Sequence, residues 1–376
     1  MERSKTILDV LLVVRWPVGG IRTFLKYVIR SFPENKCNFH IVSTRAQGMS
    51  VLQNDLGSLI KSWVMVPEDA GSNRSLMYAV FKYLNSNNID LIHAHGFTSA
   101  IVCVLPSIIS RKPMILTSHD VLNAAQFYGI TGLIKKRLLG LALKKCKVIQ
   151  SVSDDAQENL LSFFPSEKSR SLVIKNGIDT RQFLLARPVD IRASSVLDEQ
   201  KIIIGFFGRF MAQKGFRFLI DAVQILRNDL NDDRFQVVCF GSGAFIREEQ
   251  AEIVRQGLDP YFTFIPFVSD VSGAMKGCDL IVMPSRWEAC GLVAMEALAS
   301  GVPFVGSDCI GLREVLLETP AVVVRTGDPL SLAKGIQECS RIERSVFEKF
   351  AQVAAERFDV KHTSMKISSM YERAVL

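Results

Sequence analysis

Arg209 and Lys214 stand in one short stretch bounded by Gly208 and Gly215, and Glu288 and Glu296 bracket Gly291 and Leu292. A guanidinium and an ammonium in one loop suit a diphosphate, the first through forked hydrogen bonds and the second as a point charge. A carboxylate can accept two hydrogen bonds from a vicinal diol such as a ribose. Glu296 fits that task because it falls about one and a half turns into an apolar helical pattern, too deep to cap the helix. Taken singly, the four residues read as a helix-start acid, a half-exposed glutamate and two solvated cations. Their concentration in one half of the chain points instead to a cleft for a nucleoside diphosphate.

The elements that must hold these groups are legible around them. Residues 280–283 are an apolar run closed by Pro284-Ser285, the pattern of a buried parallel strand ending in a turn. Beyond Gly291, the residues Leu292, Met295 and Ala299 recur at helical spacing until Gly301-Val302-Pro303 stops them. This strand, turn and helix would leave the backbone N–H groups of Gly291 and Leu292 free at the carboxyl end of a sheet, where the helix dipole favours an anion. Upstream, residues 202–207 read as a buried strand running into the loop with Arg209 and Lys214, and residues 235–240 as a strand ending in Gly241-Ser242-Gly243. A further strand is expected over 262–268. Ile246 stands where a dinucleotide GxGxxG would need its last glycine, and no GxxxxGK[ST] loop occurs, which disfavours dehydrogenases and P-loop NTPases.

The first half repeats the plan. Residues 7–14 read as a buried strand, Gly19-Gly20 as a loop whose backbone a ligand can approach, and Ile21 onward as a helix. Short strands follow at 38–43, 63–66, 89–93, 113–117, 147–152 and 171–175, mostly separated by helical stretches, so the fold class is α/β with a parallel sheet. His93, His95 and His119 fall at strand ends, where ligands of open α/β sheets sit. They could ligate a metal, although their spacing matches no metal motif. Residues 132–147 form a basic amphipathic helix, with Lys136, Arg137, Lys144 and Lys147 on one side and Ile134, Leu138, Leu141 and Ala142 on the other. The apolar side is expected to face the core and the basic side to be free for an anionic lipid surface. Residues 179–200 lose apolar periodicity, contain Arg187-Pro188 and read as a linker.

Composition agrees. At 376 residues the chain is long enough for about two domains, and a net charge of +7 is compatible with anionic substrates or lipid. Eight scattered cysteines without CxxC spacing read as small buried residues in a reducing compartment, and no apolar run reaches the length of a membrane span.

These stretches together resemble the retaining glycosyltransferases of family 4, with the GT-B fold of two Rossmann-like parallel-sheet domains facing each other across a cleft. The likeness runs nearly end to end: Gly19-Gly20-Ile21, Thr117-Ser118-His119-Asp120, Asn176-Gly177-Ile178-Asp179, Gly208-Arg209 with Lys214-Gly215, Gly241-Ser242-Gly243, and Pro284-Ser285 leading into Glu288 to Glu296. Cys290 stands where the family often has phenylalanine, and Ile310-Gly311 where a double glycine is common. The resemblance implies an acceptor domain over 1–185, a donor domain over 190–358, and a last helix, 360–376, packing back on the first domain. It implies sugar transfer from a UDP- or GDP-sugar with retention, without metal or other cofactor, to a saccharide or lipid-linked acceptor in cell-surface glycan synthesis. It casts Glu288, His119, Arg209 and Lys214 as catalytic. Gly19, Gly20, Gly208, Gly241, Val268, Gly291, Leu292 and Glu296 would join Arg209, Lys214 and Glu288 in holding the donor. The expected location is cytoplasmic and peripheral on the inner face of the membrane, with no nucleic acid partner. The alternatives are a non-hydrolysing nucleotide-sugar epimerase, which fits the two-glutamate motif less well, and a non-catalytic scaffold of a membrane glycan assembly.

Overall fold

The computed structural model describes residues 7–46, 48–69, 71–193, 197–265 and 268–376. The chain forms two compact units, Met1–Gly177 with Val360–Leu376, and Ile178–Asp359.

In the first unit the strands are β1 (Leu8–Val14), β2 (Cys37–Thr44), β3 (Ile60–Val66), β4 (Leu91–His95), β5 (Met114–Ser118), β6 (Val148–Ser151) and β7 (Ser171–Val173). They lie in the order β3-β2-β1-β4-β5-β6-β7, all parallel. The strands are nearly continuous apolar runs because crossover helices cover both faces, and Leu11, Val13, Ile92 and Leu116 are fully buried. The order reverses between β1 and β4, so the loops after those strands flank the place where open α/β sheets bind ligands. The chain returns to this unit for its last helix, Val360–Val375, whose Ile367, Met370 and Tyr371 are buried. There Ser364 Oγ donates to the Val28 carbonyl at 3.1 Å and Thr363 Oγ1 to that of Lys175 at 2.8 Å.

The second unit has β8 (Ile202–Phe207), β9 (Phe235–Phe240), β10 (Phe262–Ile265), β11 (Leu280–Met283), β12 (Phe304–Ser307) and β13 (Val322–Val324), again all parallel, in the order β10-β9-β8-β11-β12-β13. Its switch point lies between β8 and β11. Under the loop after β8, Phe210 is fully buried and packs edge-on against Phe216 at 4.9 Å. Each such ring contributes on the order of 2–3 kcal/mol by leaving water, which pins the loop that follows the strand.

Four expectations change. The strand read over 262–268 is described over Phe262–Ile265 and does not include Val268, while Pro266 and Phe267 lie outside the described residues. The strand read over 89–93 runs Leu91–His95, so His93 lies inside it and His95 is its last residue, and both are buried. The stretch 179–200 includes a short helix, Thr180–Leu184, capped by the Asp179 carboxylate and packed into the second unit. The basic helix runs Gly129–Lys145 and buries Gly132, Leu139, Ala142 and Leu143, while Ile134, Leu138 and Leu141 are exposed. Its sequence is apolar on two faces, so periodicity could not choose the one that meets the core.

Candidate functional site

In the second unit, three loops at the carboxyl edge of the sheet are stitched together by their backbones. Gly208, after β8, donates its N–H to the Phe240 carbonyl at 3.0 Å, and Phe210 donates to Ser242 at 3.1 Å, which joins the loops after β8 and β9. Gly241 donates to Ile265 at 3.2 Å. On the other side, Arg286 N donates to the Gln213 carbonyl at 2.8 Å, and Gln213 Nε2 donates to the Trp287 carbonyl at 3.0 Å, joining the loops after β8 and β11. Gly215 tightens that junction: its φ is +63°, and a Cβ there would lie 2.0 Å from the Pro284 carbonyl oxygen. Only glycine accepts both the left-handed backbone and this approach.

This junction brings Lys214 to Glu288. Lys214 Nζ lies 2.7 Å from Glu288 Oε1, and Ser285 Oγ donates to the same oxygen at 2.7 Å. Glu288 is buried, and its backbone is fixed from both sides. Its N–H donates to Ile310 at 3.0 Å, and Gly311 presses so close that a Cβ there would lie 2.1 Å from the Glu288 carbonyl oxygen. Ser307 Oγ in turn donates to the Ser285 carbonyl at 2.5 Å. From sequence Lys214 suits an anion and Glu288 a sugar, each alone; the fold pairs them. An ammonium has three donors, so Lys214 retains two for an anion. Arg209 differs: it is exposed at the end of β8 and forms no hydrogen bond or ion pair among the described residues.

Gly291 caps the helix Leu292–Ala299 without a side-chain bond. The Leu292 N–H is not free as expected, because it donates to the Cys290 carbonyl at 2.9 Å in a tight local turn, and the Gly291 N–H next to the helix has no backbone acceptor among the described residues. Glu296 lies inside that helix and is only 7% exposed, so it is no half-solvated surface acid. Val268 is partly exposed after β10. Ser285, Ser307 and Gly311 carry the support of Glu288; the sequence marks Ser285 and Gly311 without this role and does not mark Ser307 at all. Ser285 read there as a plain turn residue, and nothing in spacing marks a hydroxyl that aims at a carboxylate three residues on.

In the first unit, Gly19 has φ +56° and caps the helix Gly20–Arg30, and the space above Gly20 is open, since a Cβ there would meet no atom within 4 Å. One turn on, Phe24 packs against the rings of His119 at 4.8 Å and His95 at 5.8 Å. His119, just past β5, bonds His95 at 3.1 Å. Burial pushes the His119 pKa down to about 3, and burial followed by the nearness of His119 does the same to His93. Both rings are therefore neutral at physiological pH. His93 spends its two ring nitrogens on Tyr371 Oη at 2.7 Å and Thr117 Oγ1 at 2.6 Å, which leaves it none for the metal considered from sequence.

Residues 18–182 match the family described as Glycosyltransferase Family 4, and residues 201–341 match Glycosyl transferases group 1. An uncharacterized glycosyltransferase of Methanocaldococcus jannaschii is 26% identical over 332 residues, covering 81% of this chain and 82% of that one. A D-inositol 3-phosphate glycosyltransferase of Salinispora tropica is 27% identical over 315 residues, covering 77% of this chain and 65% of that one. Among solved structures, Anabaena HepE in complex with UDP-glucose superposes with a TM-score of 0.78 at 22% identity, covering 97% of this chain and all of that one. Sucrose-phosphate synthase of Thermosynechococcus elongatus superposes with a TM-score of 0.81 at 18% identity, covering 97% and 98%.

Proposed function

This chain belongs to glycosyltransferase family 4, with a GT-B fold and a nucleotide-sugar donor, and on that premise we propose how its residues divide the work. The observation that carries the reading is the Lys214–Glu288 pair at the switch point of the second sheet, with Arg209, exposed in the same loop as Lys214, forming no hydrogen bond or ion pair among the described residues. Arg209 and Lys214 hold the donor diphosphate. As the bond from the anomeric carbon to the diphosphate lengthens, negative charge grows on the leaving oxygen, and the two cations offset it without a metal ion. The N–H of Gly291 adds a dipole at the same edge. Glu296 takes the ribose hydroxyls, and Glu288, steadied by Lys214 and Ser285, orients the donor sugar. Transfer with retention of anomeric configuration follows from the family pattern of these residues.

The base is proposed as uracil first and guanine second, because the Anabaena HepE complexes hold UDP and UDP-glucose. The acceptor is a saccharide or a lipid-linked saccharide of the cell surface. Inositol phosphates join the acceptor panel, since several relatives are named D-inositol 3-phosphate glycosyltransferases. No helix among the described residues is long and apolar enough to cross a membrane. A peripheral membrane contact is supported by the packed helices Phe97–Ser110 and Gly129–Lys145, which expose Leu105, Ile109, Leu133 and Leu141 beside Lys135, Arg137 and Lys145. Apolar side chains ringed by cations suit an anionic bilayer surface.

Thermal unfolding with a panel of nucleoside diphosphates and nucleotide sugars tests the donor site. At 100 times its dissociation constant the true donor stabilises by about 2.7 kcal/mol. Arg209→Ala and Glu296→Ala are expected to abolish that shift. If no nucleotide stabilises the wild type, the donor site is not where these residues lie.

A further inference from the structure

The three central histidines of the first unit pack ring against ring, with one buried nitrogen left without a partner among the described residues. His93 and His95 have ring centroids 4.1 Å apart, and His95 lies over His119 at 5.4 Å with an interplanar angle of 26°. His93 closes a chain whose direction is determined. Thr117 Oγ1 donates to Gln150 Oε1 at 2.6 Å, so it accepts from His93 Nε2–H, and His93 Nδ1 accepts from the Tyr371 hydroxyl. Both His93 nitrogens are used in that chain, and no member of it bonds His95 among the described residues.

His95 is 2% exposed, its Nδ1 faces His119 Nε2 at 3.1 Å, and its own Nε2 is buried with no partner among the described residues. Both rings are neutral, so each carries one proton and the contact holds one. If His119 were the donor, the His95 proton would sit on Nε2 as a buried N–H bonded to nothing. If His95 is the donor, Nε2 holds only a lone pair and no protein N–H is wasted. Buried donors without partners are the rarer defect.

We propose that His95 is a positioning residue: its Nδ1–H donates to His119 Nε2 and thereby holds His119 as the tautomer protonated on Nδ1. His119 is partly exposed, and its Nδ1 has no partner among the described residues. It therefore presents a neutral N–H donor outward and has no free lone pair with which to act as a base. In the transfer reaction, on which this second half rests, His119 donates a hydrogen bond to a substrate hydroxyl and removes no proton.

The test is a long-range proton–nitrogen spectrum of the full, uniformly labelled chain at neutral pH, with the five histidines assigned by single substitution. The expected result is a pyrrole-type Nδ1 and a pyridine-type Nε2 in His119. A pyrrole-type Nε2, or a mixture of both tautomers, overturns the proposal. His95→Phe keeps a stacked ring and removes the donor. In that variant His119 should populate both tautomers and protonate at higher pH, because the lost hydrogen bond had favoured the neutral ring. His95→Gln, whose amide can donate, should restore the single tautomer, and Tyr371→Phe should leave it unchanged. An unchanged His119 in His95→Phe also overturns the proposal. Transfer kinetics add a separate reading: kcat should fall about tenfold in His95→Phe with KM for the donor little altered. A wild type that shows the tautomer but transfers no sugar would sink the functional reading alone.

Discussion

Lys214 Nζ and Glu288 Oε1 lie 2.7 Å apart, with the lysine side chain 18% and the glutamate side chain 7% exposed. The two residues are 74 positions apart in the chain, and the pair exists because the loops after β8 and β11 are packed backbone to backbone. Removing either partner leaves the other as a poorly solvated charge, whereas neutralising both removes the problem together with the pair. Lys214→Met is expected to cost about 3 kcal/mol in urea unfolding, and Lys214→Met with Glu288→Gln distinctly less than the sum of the single changes. All three variants should lose sugar transfer. Additive stabilities would mean that the pair carries no coupling.

Gly311 should be as important to Glu288 as any side chain. Its φ of +76° and its approach to the Glu288 carbonyl leave no room for a methyl group. Gly311→Ala is expected to destabilise the second unit by about 2 kcal/mol or more and to depress transfer with it. Gly257→Ala is the control, since Gly257 shares a positive φ of +65° but faces open space. It should cost about 1 kcal/mol and spare activity. Equal effects in both would show that backbone strain alone, and not the contact with Glu288, is being measured.

Acid should unfold the first unit through its histidines. Burial holds His93 and His119 near 3, against an ordinary value of 6.5, and burial with the two neighbouring rings lowers His95 in the same direction. The unfolded chain therefore binds protons below about pH 6.5 that the folded chain refuses. Stability is complete above that pH and is lost as pH falls toward 3, at up to about 1.4 kcal/mol per pH unit for each histidine. Melting temperatures between pH 7 and pH 5 should drop steeply in the wild type and less steeply in His93→Gln. A flat profile would mean that the rings are not held neutral.

The two exposed helices should bind lipid if their surface has that role. Sedimentation with vesicles containing phosphatidylglycerol is expected to pull down the wild type, and Ile109→Asp with Leu141→Asp to release it without changing the melting temperature. Ile109 and Leu141 are 60% and 58% exposed, so folding does not depend on them. Binding that survives both changes, or that never occurs, would remove the membrane contact from the functional reading.

Much of this protein was legible along the chain. Buried strands announce themselves as apolar runs such as residues 202–207 and 280–283, because a sheet covered on both faces asks for nothing polar. Arg209, Lys214, Glu288, Gly291 and Glu296 could be picked out because strand ends that carry charge and glycine in place of bulk are where an open α/β sheet meets ligand. The Gly129–Lys145 helix was misread because two of its faces are apolar, and only the neighbouring layer decides which is covered.

What the amino-acid order settled alone was local: where strands stop, where helices start, and which residue types stand at those joints. These depend on periodicity, capping and backbone freedom, all of which act within a few residues. What only the tertiary structure decided was pairing across distance. Lys214 met Glu288, Gly311 pressed on Glu288, and His95 met His119 across neighbouring strands, with Tyr371 closing on His93 from 278 residues away. No spacing encodes those meetings, because they arise from the parallel order of the strands and from the return of the last helix.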